Sequence, residues 1–384
     1  MKDQKHSKKS NIGNLLLLIT LCLIIIAFSI SFFTKETKTF SEEENRSLQI
    51  FPKFKLSKLA DGTYTSQLHD FYNDQISLRS IMIELKAGVE LAMGKNENNS
   101  IILGKDGYLI DKNEYTEENY AFLQENIKKI SSFQQKLENS GISASTVLVP
   151  RKIDVLTDKL PPYYSEERNE NAWEYAKGDG ILTLTDALTD ALTDAHKSGE
   201  QVFFKTDHHW TSTGAYYAYV ELGKALGYTP LSLESFNLTV ASDAFFGTTY
   251  SKSGFFSASA DTFEIPENSS DHITTVVDTD VSFEGFYDLS YLEKKDKYST
   301  FISGNNAHVS VYDTKNDSKE TLLLVKDSFS HALVPYLAKH YNLEIIDLRY
   351  YIDSLSEFIQ ENDIKNVLFI YGIDTLASSD MKIR

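Results

Sequence analysis

The feature that most constrains the fold is a regular alternation of strand and helix patterns near the end of the chain. Strand patterns begin and end this alternation, which runs in the order strand 321–325, helix 330–340, strand 343–348, helix 352–362 and strand 366–371. Strands that alternate with helices form parallel βαβ units. We therefore expect an α/β fold with a parallel sheet, and a buried-strand pattern at 143–149 supplies a further strand.

Two short polar segments each follow a strand pattern directly. One is TDHHW at 206–210, after the pattern at 201–205, and the other is KDSF at 326–329, after the pattern at 321–325. The carboxyl ends of parallel strands form the ligand crevice of an open sheet, so both segments are expected at the same edge. Together they offer the acid, the base and the nucleophile that acyl transfer or ester hydrolysis needs at neutral pH.

The spacing within these segments suggests a role for each residue. In extended backbone, residues two positions apart share a face, so Asp207 can orient His209 while His208 points elsewhere. We predict that His209 is the general base, Asp207 its orienting carboxylate and Ser328 the nucleophile. Backbone N–H groups at the start of the helix after Ser328 would favour an oxyanion. A structural cluster of Asp and His in the core or on the surface is the alternative.

The neighbouring side chains offer supporting roles. Asp327 is predicted to cap the following helix, with pairing to His209 as the alternative, and His208 is predicted to be structural. His331, one turn past Ser328, could support the site. Trp210 and the tyrosines at 216, 217 and 219 could stack on sugars, although their helical spacing favours the core.

Asp-His-His also resembles the short signature of manganese phosphoesterases, which would make it a metal site. Those proteins need several further Asp and His clusters, and the remaining histidines of this chain form none. We therefore expect no metal and no other cofactor.

The beginning of the chain predicts a membrane anchor. Lys2, Lys5, Lys8 and Lys9 precede an uncharged run of 22 residues at 12–33, which is long enough to span a bilayer as a helix. The lysines should keep residues 1–11 cytoplasmic and send the rest of the chain outside. A cleaved signal peptide is the alternative, but its small-residue cleavage site is not evident. Cys22, the only cysteine, follows Leu21, which does not favour lipid attachment.

The rest of the chain divides by composition. Residues 34–115 are expected to form a juxtamembrane stalk and a helical region, and residues 116–384 a catalytic domain with a β-rich insertion at about 229–318. The net charge of −17 argues against a nucleic-acid partner, because phosphate binding needs a basic face. It is compatible with a neutral polymer substrate.

Several short motifs taken together resemble the DHHW family, which is similar to the alginate O-acetyltransferase group of SGNH-hydrolase-like proteins. The motifs are Glu44-Asn45-Arg46 with Phe51-Pro52, Tyr72-Asn73-Asp74 with Arg79, Gly104-Lys105-Asp106-Gly107, Pro150-Arg151-Lys152, the segment 206–214, Gly247-Thr248 with Ser253-Gly254, the segment 326–329 and Asp347-Leu348-Arg349-Tyr350.

The resemblance implies an SGNH-like three-layer α/β/α fold and a triad formed by Asp207, His209 and Ser328. Such proteins often work beside a membrane-bound O-acyltransferase that supplies acetyl groups. The expected activity is O-acetyl transfer to a cell-surface or secreted polysaccharide through an acetyl-serine. The Ser328 N–H would hold the oxyanion, with Asn305 or Lys152 as tentative helpers and Trp210 as a tentative substrate contact. A carbohydrate esterase and a non-catalytic assembly or polysaccharide-binding protein are the alternatives.

Overall fold

The computed structural model describes residues 13–23, 26, 30, 34 and 36–383, except 42–45, 77–78, 163, 165–172, 174–181, 256–257, 268–271, 279 and 317. The chain divides into two compact units, residues 1–89 and 90–384. The hairpin region at 97–111 falls in the second of these units. The predicted division of the chain at 115/116 stays a prediction.

The first unit is mostly helical where it is described. Residues 13–23 are helical, and the elements that follow are β1 (Phe40–Ser41) paired with β2 (Arg46–Ser47), α1 (Leu56–Ala60), α2 (Thr63–Gln75) and α3 (Arg79–Ala92). The predicted anchor at 12–33 lies partly outside the described residues. Among those that are described, we find no helix that combines the length and the apolar character needed to cross a membrane.

The second unit contains a seven-stranded sheet. The strands and α-helices of this unit, in chain order, are β3 (Glu97–Asn98), β4 (Ile101–Leu103), β5 (Leu109–Asp111), α4 (Glu117–Asn139), β6 (Ser143–Val149), α5 (Lys152–Val155), α6 (Leu182–Lys197), α7 (Ser212–Leu226), β7 (Leu238–Phe245), α8 (Thr248–Ser253), β8 (Asp261–Pro266), β9 (Ile273–Val277), β10 (Val281–Glu284), β11 (His308–Asp313), β12 (Thr321–Lys326), α9 (Val334–Leu337), β13 (Asn342–Ile346), α10 (Leu355–Glu361), β14 (Asn366–Gly372) and α11 (Ile373–Ser378). The strand order of the sheet is β10-β9-β11-β13-β12-β14-β6.

The sheet is mixed, which corrects the prediction of a parallel sheet. Strands β13, β12, β14 and β6 are parallel, as the alternating pattern predicted. Strands β11, β9 and β10 add to the edge at β13 in antiparallel pairs. All three come from the insertion at 229–318, and a short connection joins β9 and β10 as an antiparallel hairpin. The insertion thus extends the main sheet, while β7 and β8 form a separate antiparallel pair.

Helices cover both faces of the parallel strands. Successive residues of β12 alternate, so that Leu322 and Leu324 lie in one apolar cluster and Leu323 and Val325 in the other. Helix α4 packs on β6 and α11, and α6 packs on β6 and α7. A capping box between Thr116 and Asn119 begins α4. These layers bring the carboxyl ends of β12, β13, β14 and β6 to one edge of the sheet.

Candidate active site

Ser328 lies at the carboxyl end of β12, in the first turn of a 3₁₀ helix at Ser328–Leu333. The side chain of Asp327 caps this turn by accepting a hydrogen bond from the Phe329 N–H at 3.0 Å. Its other oxygen accepts from the Gly372 N–H and the Thr375 hydroxyl, each at 2.7 Å. Asp327 is therefore the cap that was predicted and does not pair with His209. Ser328 itself is half-buried.

The three residues predicted to act together form one hydrogen-bonded chain. His209 Nε2 lies 2.8 Å from Ser328 Oγ, and His209 Nδ1 lies 2.5 Å from Asp207 Oδ1. The Asp207 and His209 side chains are buried, with exposed fractions of 2% and 7%. A carboxylate oxygen can only accept, so Nδ1 carries the proton and Nε2 is free to accept the Ser328 proton.

The segment that precedes the Asp-His-His turn differs from the prediction. The segment at 201–205 is not a strand of the sheet: Phe203 makes only an isolated bridge with Trp210. The turn at 206–210 is instead held by Asp261, whose carboxylate accepts from the Thr206 N–H and the Thr206 hydroxyl at 2.8 and 2.6 Å. Asp261 belongs to the insertion, so a distant part of the chain positions the Asp-His-His turn.

The Asp207 carboxylate is surrounded by donors. Oδ1 also accepts from the His209 N–H at 2.9 Å, and Oδ2 accepts from the Thr248 N–H at 2.6 Å and the Thr248 hydroxyl at 3.0 Å. Burial alone would raise the pKa of Asp207, but His208, His209 and these hydrogen bonds outweigh it and hold that pKa well below its usual range. Asp207 is therefore ionised at neutral pH.

Gly247 makes this close approach possible. A Cβ atom at position 247 would lie 2.2 Å from both Cβ and Oδ2 of Asp207. The motif Gly247-Thr248 was visible in the sequence as part of the family resemblance, but its role at the carboxylate was not predicted.

The imidazole of His209 lies between two rings. The Tyr298 ring stacks on it with a centroid distance of 3.8 Å and an interplanar angle of 8°. The His208 ring lies 3.9 Å away at 36°. Tyr298 is buried and comes from a 3₁₀ helix of the insertion, Lys297–Thr300. Sequence reasoning missed Tyr298, because no local pattern distinguishes it from the many other tyrosines of the chain.

Trp210 does not line the crevice, which corrects its tentative assignment as a substrate contact. Its side chain is fully buried, and its indole N–H donates to the Phe329 carbonyl at 2.9 Å. Trp210 therefore connects the Asp-His-His turn to the turn that carries Ser328.

The two tentative oxyanion helpers are bound elsewhere. The Lys152 ammonium is buried and donates to the Leu109 carbonyl at 2.8 Å and to the Lys205 carbonyl at 3.4 Å. Burial lowers the pKa of Lys152 to about 8. Asn305 is exposed, and its Oδ1 accepts from Arg349 at 3.3 Å. Neither residue contacts Ser328, whereas the Ser328 N–H donates to no group in the described part of the chain.

A buried charged cluster lies beside the serine turn. Lys326 donates to His331 Nε2 at 2.8 Å and contacts Asp347 at 3.3 Å. Arg349 binds the same Asp347 carboxylate through two nitrogens, at 2.9 and 2.7 Å. Burial alone would raise the pKa of Asp347, but Arg349 and Lys326 keep that pKa below its usual value. His331 thus supports the end of β12 through Lys326 and does not reach the triad by hydrogen bonding.

Donor atoms of Asp207, His208 and His209 lie within 4.8 Å of one another, close enough to hold a metal ion. However, both ring nitrogens of His209 already bind Asp207 and Ser328. A metal at this point would break that chain, so these residues fit acid–base chemistry better than metal binding.

The fold resembles that of SGNH hydrolase-like proteins. The family model of the SGNH hydrolase-like domain of acetyltransferase AlgX matches residues 101–276. A probable alginate O-acetylase AlgJ from Pseudomonas fluorescens is 25% identical over 182 residues, which cover 45% of each chain. Another from Pseudomonas syringae is 27% identical over 192 residues, which cover 47% of this chain and 48% of the relative. The chain thus spans about half the length of the curated relatives it matches.

Solved structures show the same fold. A DHHW family protein from Eubacterium siraeum superimposes with a TM-score of 0.59 at 22% identity, covering 74% of this chain and 94% of that one. PatB1 from Bacillus cereus gives a TM-score of 0.58 at 21% identity, covering 74% and 99%. The predicted SGNH-like α/β fold and the resemblance to the alginate O-acetyltransferase group are confirmed.

Proposed function

We propose that the protein is a membrane-anchored, extracellular O-acetyltransferase that carries acetyl on Ser328 and delivers it to a hydroxyl of a cell-surface or secreted polysaccharide. The observation that carries this proposal is the hydrogen-bonded chain from Asp207 through His209 to Ser328, with steps of 2.5 and 2.8 Å. A non-catalytic protein would have no need to hold these three groups in line, so the same distances favour an enzyme over a binding or assembly protein.

The first half of the reaction loads the serine. His209 Nε2 takes the proton from Ser328 Oγ, which attacks the carbonyl carbon of the acetyl donor. Asp207, ionised and buried, stabilises the imidazolium that forms. The Ser328 N–H offers a hydrogen bond to the oxyanion. His209 then gives its proton to the leaving group, and an acetyl-serine remains.

The second half reverses these steps with a sugar. A hydroxyl of the polysaccharide loses its proton to His209 as its oxygen attacks the acetyl carbon. The Ser328 oxygen leaves and recovers the proton from His209. The relatives are named as probable alginate O-acetylases, which supports a polysaccharide acceptor. A membrane-bound O-acyltransferase would supply the acetyl group, and the uncharged run at 12–33 would anchor the chain beside it.

A carbohydrate esterase is the second candidate. Water and a sugar hydroxyl would attack the same acetyl-serine, and the half-buried position of Ser328 leaves it accessible to water.

The test measures acetate and acetylated product from the full chain, given a chromogenic acetyl ester and an oligosaccharide acceptor. Ser328→Ala should abolish both products, because the proposed acetyl-serine forms on Ser328 Oγ. Ser330→Ala is the matched control. It removes a hydroxyl of the same turn, which donates to the Asp327 carbonyl at 3.0 Å, and should retain turnover. Full activity in Ser328→Ala would refute the mechanism, and serine-dependent acetate without acetylated product would identify an esterase.

A further inference from the structure

His208 lies at the triad, and the mechanism above does not use it. Its ring packs on that of His209 at 3.9 Å, yet 38% of its side chain is exposed, compared with 7% for His209. A ring nitrogen of His208 lies within 4.8 Å of one of His209. The exposed ring of His208 therefore lies beside the imidazole that deprotonates an incoming hydroxyl.

The hydrogen bonds around His208 determine which ring nitrogen carries its proton. The Thr248 hydroxyl donates to the Asp207 carboxylate at 3.0 Å, which can only accept. The Thr248 oxygen must then accept from His208 Nδ1, 2.7 Å away. His208 Nδ1 therefore carries the hydrogen, and Nε2 holds a free lone pair. Desolvation and the neighbouring His209 lower the pKa of His208, so this neutral tautomer persists at pH 7.

The Nε2 atom of His208 is not buried. The Nδ1 atoms of His208 and His209 lie 3.6 and 2.5 Å from the same oxygen, Asp207 Oδ1, so both Nε2 atoms point away from Asp207. His208 Nε2 accepts no hydrogen bond from any group in the described part of the chain, and it is not among the side-chain atoms buried without a partner. When a sugar places one hydroxyl at His209 Nε2, a second hydroxyl of the same sugar can therefore donate a hydrogen bond to the neighbouring His208 ring.

We propose that His208 Nε2 accepts a hydrogen bond from a second hydroxyl of the acceptor, on the carbon next to the one whose hydroxyl attacks the acetyl-serine. The site would thus select vicinal diols, the arrangement found around a sugar ring. This inference rests on the proposed function and specifies its acceptor.

The chemistry balances without any further reactant. The attacking hydroxyl gives its proton to His209 and forms the new ester bond, while the bond between the acetyl carbon and Ser328 Oγ breaks. Ser328 recovers the proton. The second hydroxyl keeps its proton and only donates a hydrogen bond to His208.

Two substitutions separate the two ring nitrogens. In His208→Asn the amide N–H₂ can replace Nδ1 as donor to Thr248, but nothing replaces Nε2. In His208→Gln the longer side chain can place its carbonyl oxygen near the position of Nε2 and restore a hydrogen-bond acceptor there. The two variants therefore differ in the group that the proposal requires.

The experiment uses the full chain with 4-nitrophenyl acetate as donor and either cyclohexane-1,2-diol or cyclohexanol as acceptor. These probes differ by one hydroxyl and do not depend on the identity of the polymer. We expect the unmodified chain to acetylate the diol about fivefold to tenfold more efficiently per hydroxyl, as one hydrogen bond allows. The preference should vanish in His208→Asn and return in His208→Gln.

Each outcome decides the matter. Equal preference for the diol in the unmodified chain and in correctly folded His208→Asn would overturn the role of His208, while Ser328-dependent transfer would still support the proposed function. No preference for the diol in the unmodified chain would also overturn it. Absence of any Ser328-dependent turnover would refute the proposed function and this inference together.

Discussion

Gly247→Ala is expected to disable the site while leaving the fold intact. The backbone of Gly247 has φ −86° and ψ −166°, with φ in the range that alanine adopts. Alanine also has less conformational freedom in the unfolded chain, which by itself stabilises a protein by about 0.4–1 kcal/mol. The harm therefore comes from a single contact: the new Cβ would meet the Asp207 side chain.

The size of the effect follows from that contact. The added Cβ would lie 2.2 Å from Asp207 Cβ and Oδ2, whereas ordinary van der Waals contact begins at 3.4 Å. Asp207 or the segment at 247 must therefore move by about 1 Å, which lengthens the hydrogen bonds between the Asp207 carboxylate and His209 and Thr248. A displacement of about 1 Å in a catalytic group costs about 10²-fold in rate. Overpacking costs about 1–3 kcal/mol of stability, offset in part by the entropic gain.

The assay is steady-state kinetics on a chromogenic acetyl ester, with thermal unfolding measured in parallel. We expect kcat to fall by roughly 10²-fold, with a much smaller change in KM because Gly247 is buried. Gly88→Ala is the control, since nothing lies within 4 Å of a Cβ built at that position. It should leave kcat unchanged. A kcat for Gly247→Ala within twofold of the unmodified chain would refute the argument that this glycine is required by Asp207.

Two further predictions concern other parts of the second unit. Tyr298→Phe should retain turnover, because phenylalanine keeps the ring that stacks on His209. Tyr298→Leu should lower kcat by roughly 3-fold to 30-fold, because it removes the aromatic face beside the His209 imidazolium. Equal losses in the two variants would show that the aromatic face is not what matters. Burial raises the pKa of Asp374 from 3.8 to about 6, so the folded chain holds a proton that the unfolded chain releases. Its contribution to stability therefore falls as the pH rises from about 4 to about 6, and Asp374→Asn should gain thermal stability relative to the unmodified chain across that window. A difference in Tm that does not change with pH would contradict this.

Much of the fold could be predicted from local patterns. The strand at 143–149 and the strands that begin at 321 and 366 lie where the patterns placed them, because each is an apolar run long enough to be buried on both faces. The insertion was predicted to be β-rich, but its union with the main sheet was not. Strand pairing joins residues far apart in sequence, and short antiparallel strands leave no periodic signal of their partners.

The active site, like the fold, was predicted from the sequence only in part. Asp207, His209 and Ser328 were predicted from their chemistry and from their spacing in short segments, and the structure brings them into contact. Trp210 illustrates the limit, because an aromatic residue next to a motif can face a ligand or the core, and only packing decides which. Lys152 and Asn305 were assigned from their residue types alone, and their hydrogen bonds direct them to other groups.

The amino-acid sequence by itself determines the order of strands and helices, the turn residues that follow the strands, and the acid, base and hydroxyl available there. These properties depend on neighbours within a few positions, so they can be read locally. Only the tertiary structure decides that Thr248 and Gly247 surround the Asp207 carboxylate, that Tyr298 covers the His209 ring, and that His208 keeps an open lone pair. Each of these depends on contacts between residues about 40 or more positions apart, which form only when the insertion folds back onto the sheet.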